Sequence, residues 1–275
     1  MEYYEILRAV RECSPLIQCI TNFVTVNDCA NILLAAGASP TMAQDIREVE
    51  EAVTGTNGLV CNLGAIDLLD SMILAGKRAN ALGIPVVLDP VAAGGTTLRR
   101  QLSAKLLGEV HFSAIRGNAS EIRALAGQMS RGSGVDVADW DAITPENLSK
   151  SVELISALAQ KTVAVIAVSG VIDVVSDGTK TVLLHNGCAT MARITGSGCM
   201  LTTLIGGFCA ATPEHSFEAT CAAMATMGVC GEKAEEKRLQ NKTGNATFRT
   251  DLIDAVFNLT EQELKERIRY EVYEG

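Results

Sequence analysis

Apolar and polar positions along the chain follow two alternating rhythms. Short apolar runs ending in Gly, Asn or Asp are followed by longer stretches of helical spacing, a succession that predicts βα units around a mostly parallel sheet. The runs that read as strands are residues 58–61, 86–88, 112–115, 163–168, 172–176 and 181–184. Asp177-Gly178 separates the last two and signals a two-residue hairpin turn, so the sheet is expected to become antiparallel there. Helical spacing covers 26–36, 67–82, 145–160, 200–209, an Ala-rich run around 217–238, and 247–255. The closing EQELKERIRYEVYEG reads as a surface helix, and 131–138, with Gly132 and Gly134, as a mobile loop. No repeat, low-complexity tract or Pro-rich linker marks a boundary, so residues 1–275 are expected to form one domain.

Composition narrows the partners. The chain carries 23 Lys plus Arg against 32 Asp plus Glu, a formal net charge of -9, which argues against nucleic acid or an anionic membrane surface. Nine cysteines, an odd number without a CxxC pair, read as reduced and mostly buried thiols. The charged opening MEYYEILRAVRECSP does not read as a signal peptide, and no run reaches the ~20 apolar residues of a membrane span, so a cytoplasmic protein is expected.

Parallel sheets buried on both faces put ligand sites beyond the carboxyl ends of their strands. Four segments fall there: Asn62-Leu63-Gly64, Asp89-Pro90-Val91, the run from Arg116 to Glu121, and Thr195-Gly196-Ser197-Gly198-Cys199. In the last, a glycine turn opens into an apolar helix, whose first amides and dipole suit a phosphate; a plain helix cap is the alternative. Cys199, at that helix start, is expected to have its thiolate favoured and to accept a proton or attack an electrophile, whereas the other eight thiols read as core. Asn118 and Glu121 have the spacing of a capping box; the alternative is that Glu121 holds Mg²⁺ while Arg116 touches nucleotide phosphates. Asp89, either a turn former or a second metal carboxylate, sits near the same edge.

In this order the motifs resemble the ribokinase-like superfamily, and as a set the hydroxyethylthiazole kinase family. The resemblance spans nearly the whole chain. It rests on Gln18-Cys19-Ile20-Thr21-Asn22-Phe23-Val24, Ala38-Ser39-Pro40-Thr41-Met42, Asn62-Leu63-Gly64, the segment from Val87 to Gly94, the segment from Arg116 to Ile122, and Gly196-Ser197-Gly198-Cys199-Met200. It implies a three-layer α/β sandwich without a lid domain, assembled as a trimer with sites between subunits. It also implies ATP-dependent phosphorylation of the primary hydroxyl of 4-methyl-5-(2-hydroxyethyl)thiazole, a thiamine biosynthesis step.

By the same resemblance Asn22, Val24, Met42 and Gly64 match thiazole-side positions, and Arg116 and Ser169 match ATP-side positions. Gly196 and Gly198 match the anion hole, with Gly196 also near substrate, and Asp89 and Glu121 match the magnesium acids. Cys199 replaces the Asp usual in the wider superfamily, the choice seen in thiazole kinases. Asn62-Leu63-Gly64-Ala65-Ile66 departs mildly from the family, which more often has Thr-Leu after the glycine. The readings against this one are a kinase for pyridoxal or hydroxymethylpyrimidine, a cysteine hydrolase using Cys199, a non-catalytic nucleotide-binding module, and a Rossmann dehydrogenase. The hydrolase needs a base from His111, His185 or His215, none obviously paired with Cys199. The dehydrogenase lacks the third glycine.

Overall fold

Side chains of the central strands point alternately into two separate apolar layers, the pattern of a sheet covered by helices on both faces. The computed structural model describes residues 1–129 and 142–274; the loop expected at 131–138 lies outside them. Nine strands among the described residues form one sheet: β1 Leu16–Ile20, β2 Ser39–Thr41, β3 Gly58–Asn62, β4 Val86–Asp89, β5 Ala114–Asn118, β6 Val165–Ser169, β7 Asp173–Ser176, β8 Thr181–Leu184 and β9 Tyr270–Val272. Their spatial order is β2-β1-β3-β4-β5-β6-β7-β8-β9. Pairing is parallel from β2 to β6 and antiparallel from β6 to β9.

Cys19, Val60, Val87, Ala114 and Ala167 join one core cluster, while Ile20, Cys61, Leu88, Ile115 and Val168 join the other. The first cluster takes its helical residues from α1 Tyr3–Cys13, α2 Val26–Ala36, α8 Ser197–Ala211, α9 Ser216–Asn241, α10 Asn245–Asn258 and α11 Glu261–Arg267. The second draws on α3 Val49–Thr54, α4 Leu69–Leu82, α5 Thr97–Glu109, α6 Ala119–Met129 and α7 Leu148–Thr162. α8 is buried from Met200 to Cys209 and packs on β3 and β4, so it reads as apolar all round rather than striped.

Several expectations change in detail. The hairpin loop holds four residues, 177–180, because Ser176 pairs with Thr181. Asp177 Oδ1 accepts the Thr179 and Lys180 amides and the Thr179 hydroxyl, closing a wider turn than a two-residue one. The closing segment is helical only as far as Arg267. Beyond it the chain extends: Arg269 N–H is taken by Asn186 Oδ1, its guanidinium by Glu232, and β9 pairs antiparallel with β8. β5 runs three residues further and starts two later than expected, so Arg116, Gly117 and Asn118 are strand residues. Val163 ends α7 in a left-handed conformation (φ 52°) rather than opening β6.

Candidate functional site

Strand alternation decides which side chains meet. Val60, Val87, Ala114 and Ala167 face the α8 layer, so the residues two further on, Asn62, Asp89, Arg116 and Ser169, share that face at the carboxyl ends of β3, β4, β5 and β6. Asn62 lies opposite Asp89 in the register. Against this row comes the amino end of α8. Gly196 is its cap, with φ 83° and no side-chain hydrogen bond to the first turn, which leaves first-turn amides open to the site. A Cβ there would also meet Thr25 Cγ2 at 2.7 Å.

Arg116 is 8 % exposed and lies across that helix end. One guanidinium nitrogen, Nη2, donates to Ser169 Oγ, and Nη1 is so close to α8 that a Cβ on Gly198 would approach it to 2.5 Å. Nε is buried and has no hydrogen-bond partner among the described residues. A guanidinium and a helix amino end are both positive, so their meeting is favourable when an anion lies between them.

The two carboxylates have different surroundings. Asp89 is 1 % exposed; its Oδ2 accepts Thr202 Oγ1 at 2.9 Å and Asn62 Nδ2 at 3.1 Å. Burial pushes its carboxyl up to about 6; nearby Glu121 adds to the rise, whereas Arg116 and the Thr202 hydroxyl oppose it. Glu121 makes the capping box: its Oε2 accepts Asn118 N–H at 2.8 Å while Asn118 Oδ1 accepts Glu121 N–H at 2.9 Å. Its other oxygen accepts Ala92 N–H at 2.8 Å, tying α6 to the loop after β4. The cap is therefore real, and it fixes the carboxylate beside the site.

Cys199 Sγ receives Asn62 Nδ2 at 3.2 Å and Asn22 Nδ2 at 3.5 Å. Burial and then Asp89 push the thiol above its ordinary value, against the pull of Thr25, Asn62 and Asn22. The thiolate expected from the helix dipole is thus opposed by the sulfur's own surroundings. None of the three histidines bonds Cys199: His185 pairs with Glu271 and His215 with Glu218, while His111 lies before β5 with its backbone held by Asn80. The pairing needed by a cysteine hydrolase is missing among the described residues.

Beyond β1, Asn22 Oδ1 accepts Val24 N–H at 3.1 Å, and Gly64 N–H donates to Asn62 Oδ1 at 2.8 Å. Met42, just past β2, is half-buried against the core; Val24 is 57 % exposed and Phe23 91 %. Sequence reasoning left Thr202 and Asp173 out of the site and gave Asn62 no role beyond a turn or cap. Thr202 was detectable as the residue one helical turn after Gly198. Asp173, whose Oδ1 accepts Gly170 N–H at 2.8 Å and which feels the charge of Arg116, sat inside a run read as a strand and carried no signal.

Residues 7–262 match the model of the hydroxyethylthiazole kinase family. The chain belongs to that family. A hydroxyethylthiazole kinase of Clostridium acetobutylicum is 46 % identical over 271 residues, covering 98 % of this chain and 99 % of its own. One of Clostridium tetani is 45 % identical over 266 residues, with 96 % and 95 % covered. The solved hydroxyethylthiazole kinase protein of Pyrococcus horikoshii superposes with a TM-score of 0.87 at 34 % identity, covering 99 % of both chains. The pyridoxal kinase of Bacillus subtilis solved with ADP, at TM-score 0.53 and 16 % identity, shares the fold; it covers 78 % of this chain and 90 % of that one. Family membership removes the hydrolase, dehydrogenase and non-catalytic nucleotide-binding readings together. No helix among the described residues is long and apolar enough to cross a membrane.

Proposed function

We propose that this kinase moves the γ-phosphoryl of ATP onto the primary hydroxyl of 4-methyl-5-(2-hydroxyethyl)thiazole in thiamine biosynthesis. The observation that carries the reading is the convergence of the Arg116 guanidinium and the uncapped amino end of α8 on one spot. The transferring phosphoryl belongs there, with its equatorial oxygens on the amides around Gly196 and Gly198 and on Arg116. Ser169, bonded to Arg116, serves the nucleotide side. Asn22, Val24, Met42 and Gly64, around the loops after β1, β2 and β3, hold the thiazole alcohol, with Gly196 at the boundary between the two substrates.

The residues present also fit Mg²⁺. Asp89 and Glu121 lie close enough to feel each other's charge, and two carboxylates suffice for an ion that keeps water and phosphate as ligands. Asp89 Oδ1, which accepts from no described donor, and Glu121 would hold it, and the ion would neutralise charge on the phosphates. The alcohol oxygen forms its bond to phosphorus as the bond to the ADP oxygen breaks, and the hydroxyl proton leaves late. Because that transition state is loose, a strong base is unnecessary. Cys199 orients the hydroxyl and relays its proton, taking it on sulfur as the thiol proton passes to an oxygen of the transferred phosphoryl.

The kinase works as a trimer with its sites between subunits, and the exposed Phe23 and Val24 beside Asn22 are consistent with a neighbouring chain completing the thiazole side. Nine cysteines without a disulfide suit the cytoplasm. A coupled ADP-release assay with the thiazole alcohol, pyridoxal and hydroxymethylpyrimidine side by side tests the reading. The thiazole alcohol should give the largest kcat/KM; preference for another alcohol overturns the substrate, and no turnover with any overturns the kinase.

A further inference from the structure

Among the described residues, Asn62 is the side chain that hydrogen-bonds both Asp89 and Cys199, and it uses all of its bonding capacity. Its Nδ2 donates to Asp89 Oδ2 at 3.1 Å and to Cys199 Sγ at 3.2 Å. Its Oδ1 accepts Gly64 N–H at 2.8 Å and Asn22 Nδ2 at 3.2 Å. Two donors and two acceptor sites are the whole inventory of a carboxamide. Turning the amide over would aim its oxygen at the Asp89 carboxylate and its nitrogen at the Gly64 N–H, so one orientation satisfies every partner. The side chain is buried, at the last position of β3 beside β4, where the sheet holds its backbone.

We propose that Asn62 is a positioning residue for phosphoryl transfer: it sets the thiol of Cys199 and the carboxylate of Asp89 in one fixed relation and turns Asp89 Oδ1 toward the reacting groups. With Oδ2 occupied by Asn62 and Thr202, Oδ1 is the oxygen left for the phosphate side. With Asn62 donating to sulfur, Sγ is held as an acceptor, and its own proton points away from Asn62. The same carboxamide ties in Asn22 and the Gly64 turn, so the thiazole side and the phosphoryl side share one anchor. This rests on the reading that Cys199 and Asp89 serve the transfer.

The test is a double-mutant cycle in the full chain with ATP and the thiazole alcohol. Asn62→Ala should lower kcat on the order of 10- to 100-fold, because a displacement of about 1 Å is enough for such a loss, while KM for ATP moves less than about threefold. Combined with Cys199→Ala, the loss should be clearly smaller than the product of the two single losses. Asn62→Asp keeps the shape and the accepting oxygen but not the donor pair; it should lose kcat similarly, and it replaces the Ala variant if that variant does not melt cooperatively. Unchanged kcat, or losses that multiply in the cycle, overturns the proposal. If Cys199→Ala alone leaves kcat intact, the assignment of Cys199 to the transfer fails instead, a result separable from the Asn62 single variants.

Discussion

Three positions in the first turns of α8 can be tested singly. Gly198→Ala forces a methyl to 2.5 Å from Arg116 Nη1. We expect the guanidinium to swing away and kcat/KM for ATP to fall roughly 100-fold, with little change in KM for the alcohol in steady-state assays. Cys199→Ala should reduce kcat well beyond any change in KM, and unchanged turnover in a folded variant would remove proton handling from that thiol. Thr202→Val deletes a donor that favours ionised Asp89. Because Asp89 must be charged to act and sits at about 6, the acid limb of kcat/KM should move to higher pH, by about half a unit. A limb that stays put would mean that Asp89 is not the group titrating.

Among the secondary elements, the outer strands at the two ends of the sheet, β1, β2 and β9, were the least legible. Strands β3 and β4 stand out as fully apolar runs, and their helices follow with regular spacing. β1 hides because Gln18 interrupts it; the residue is buried, and its Nε2 donates to Ala43 O, a contact made by chain 25 residues away. β9 hides because its three residues are exposed, and it is held by backbone pairing with β8, by the Glu271–His185 contact and by Tyr270 set edge-on to Tyr3. Ending the chain after Arg267 removes that strand and the Arg269–Glu232 pair, leaving β8 as an open edge. Thermal melting should drop by several degrees, and light scattering should detect self-association.

For the molecule as a whole, the half-buried Asp173 ties stability to pH. Asp173 is pushed up to about 7 by burial, against the Gly170 amide and Arg116. Its folded-state value lies above its ordinary 3.8, so the folded form binds the extra proton and stability falls as pH rises from about 4 to about 7. Asp173→Asn, which keeps the acceptor for Gly170, should melt higher than the parent at pH 8, by about 2–4 °C, and equally near pH 4. A pH-independent difference would point to packing instead. Static light scattering should return three times the 29.0 kDa chain mass, and Phe23→Asp should lower both that mass and turnover.

Local order in the chain was enough for the parallel core: alternating burial requires apolar strands, helical spacing requires helices, and the glycine turn before Cys199 announces an anion site by backbone chemistry alone. The side chains that would do the chemistry were also legible one at a time, because each closes a strand or opens a helix. Their relations were not. That Arg116 lies against Gly198, that Asn62 joins Asp89 to Cys199, and that burial and Asp89 push the thiol up all depend on groups far apart along the chain, 27 residues for Asn62 and Asp89 and 137 for Asn62 and Cys199, brought together by strand register and the seating of α8. Burial and mutual charge are properties of that assembly, and no single segment carries them.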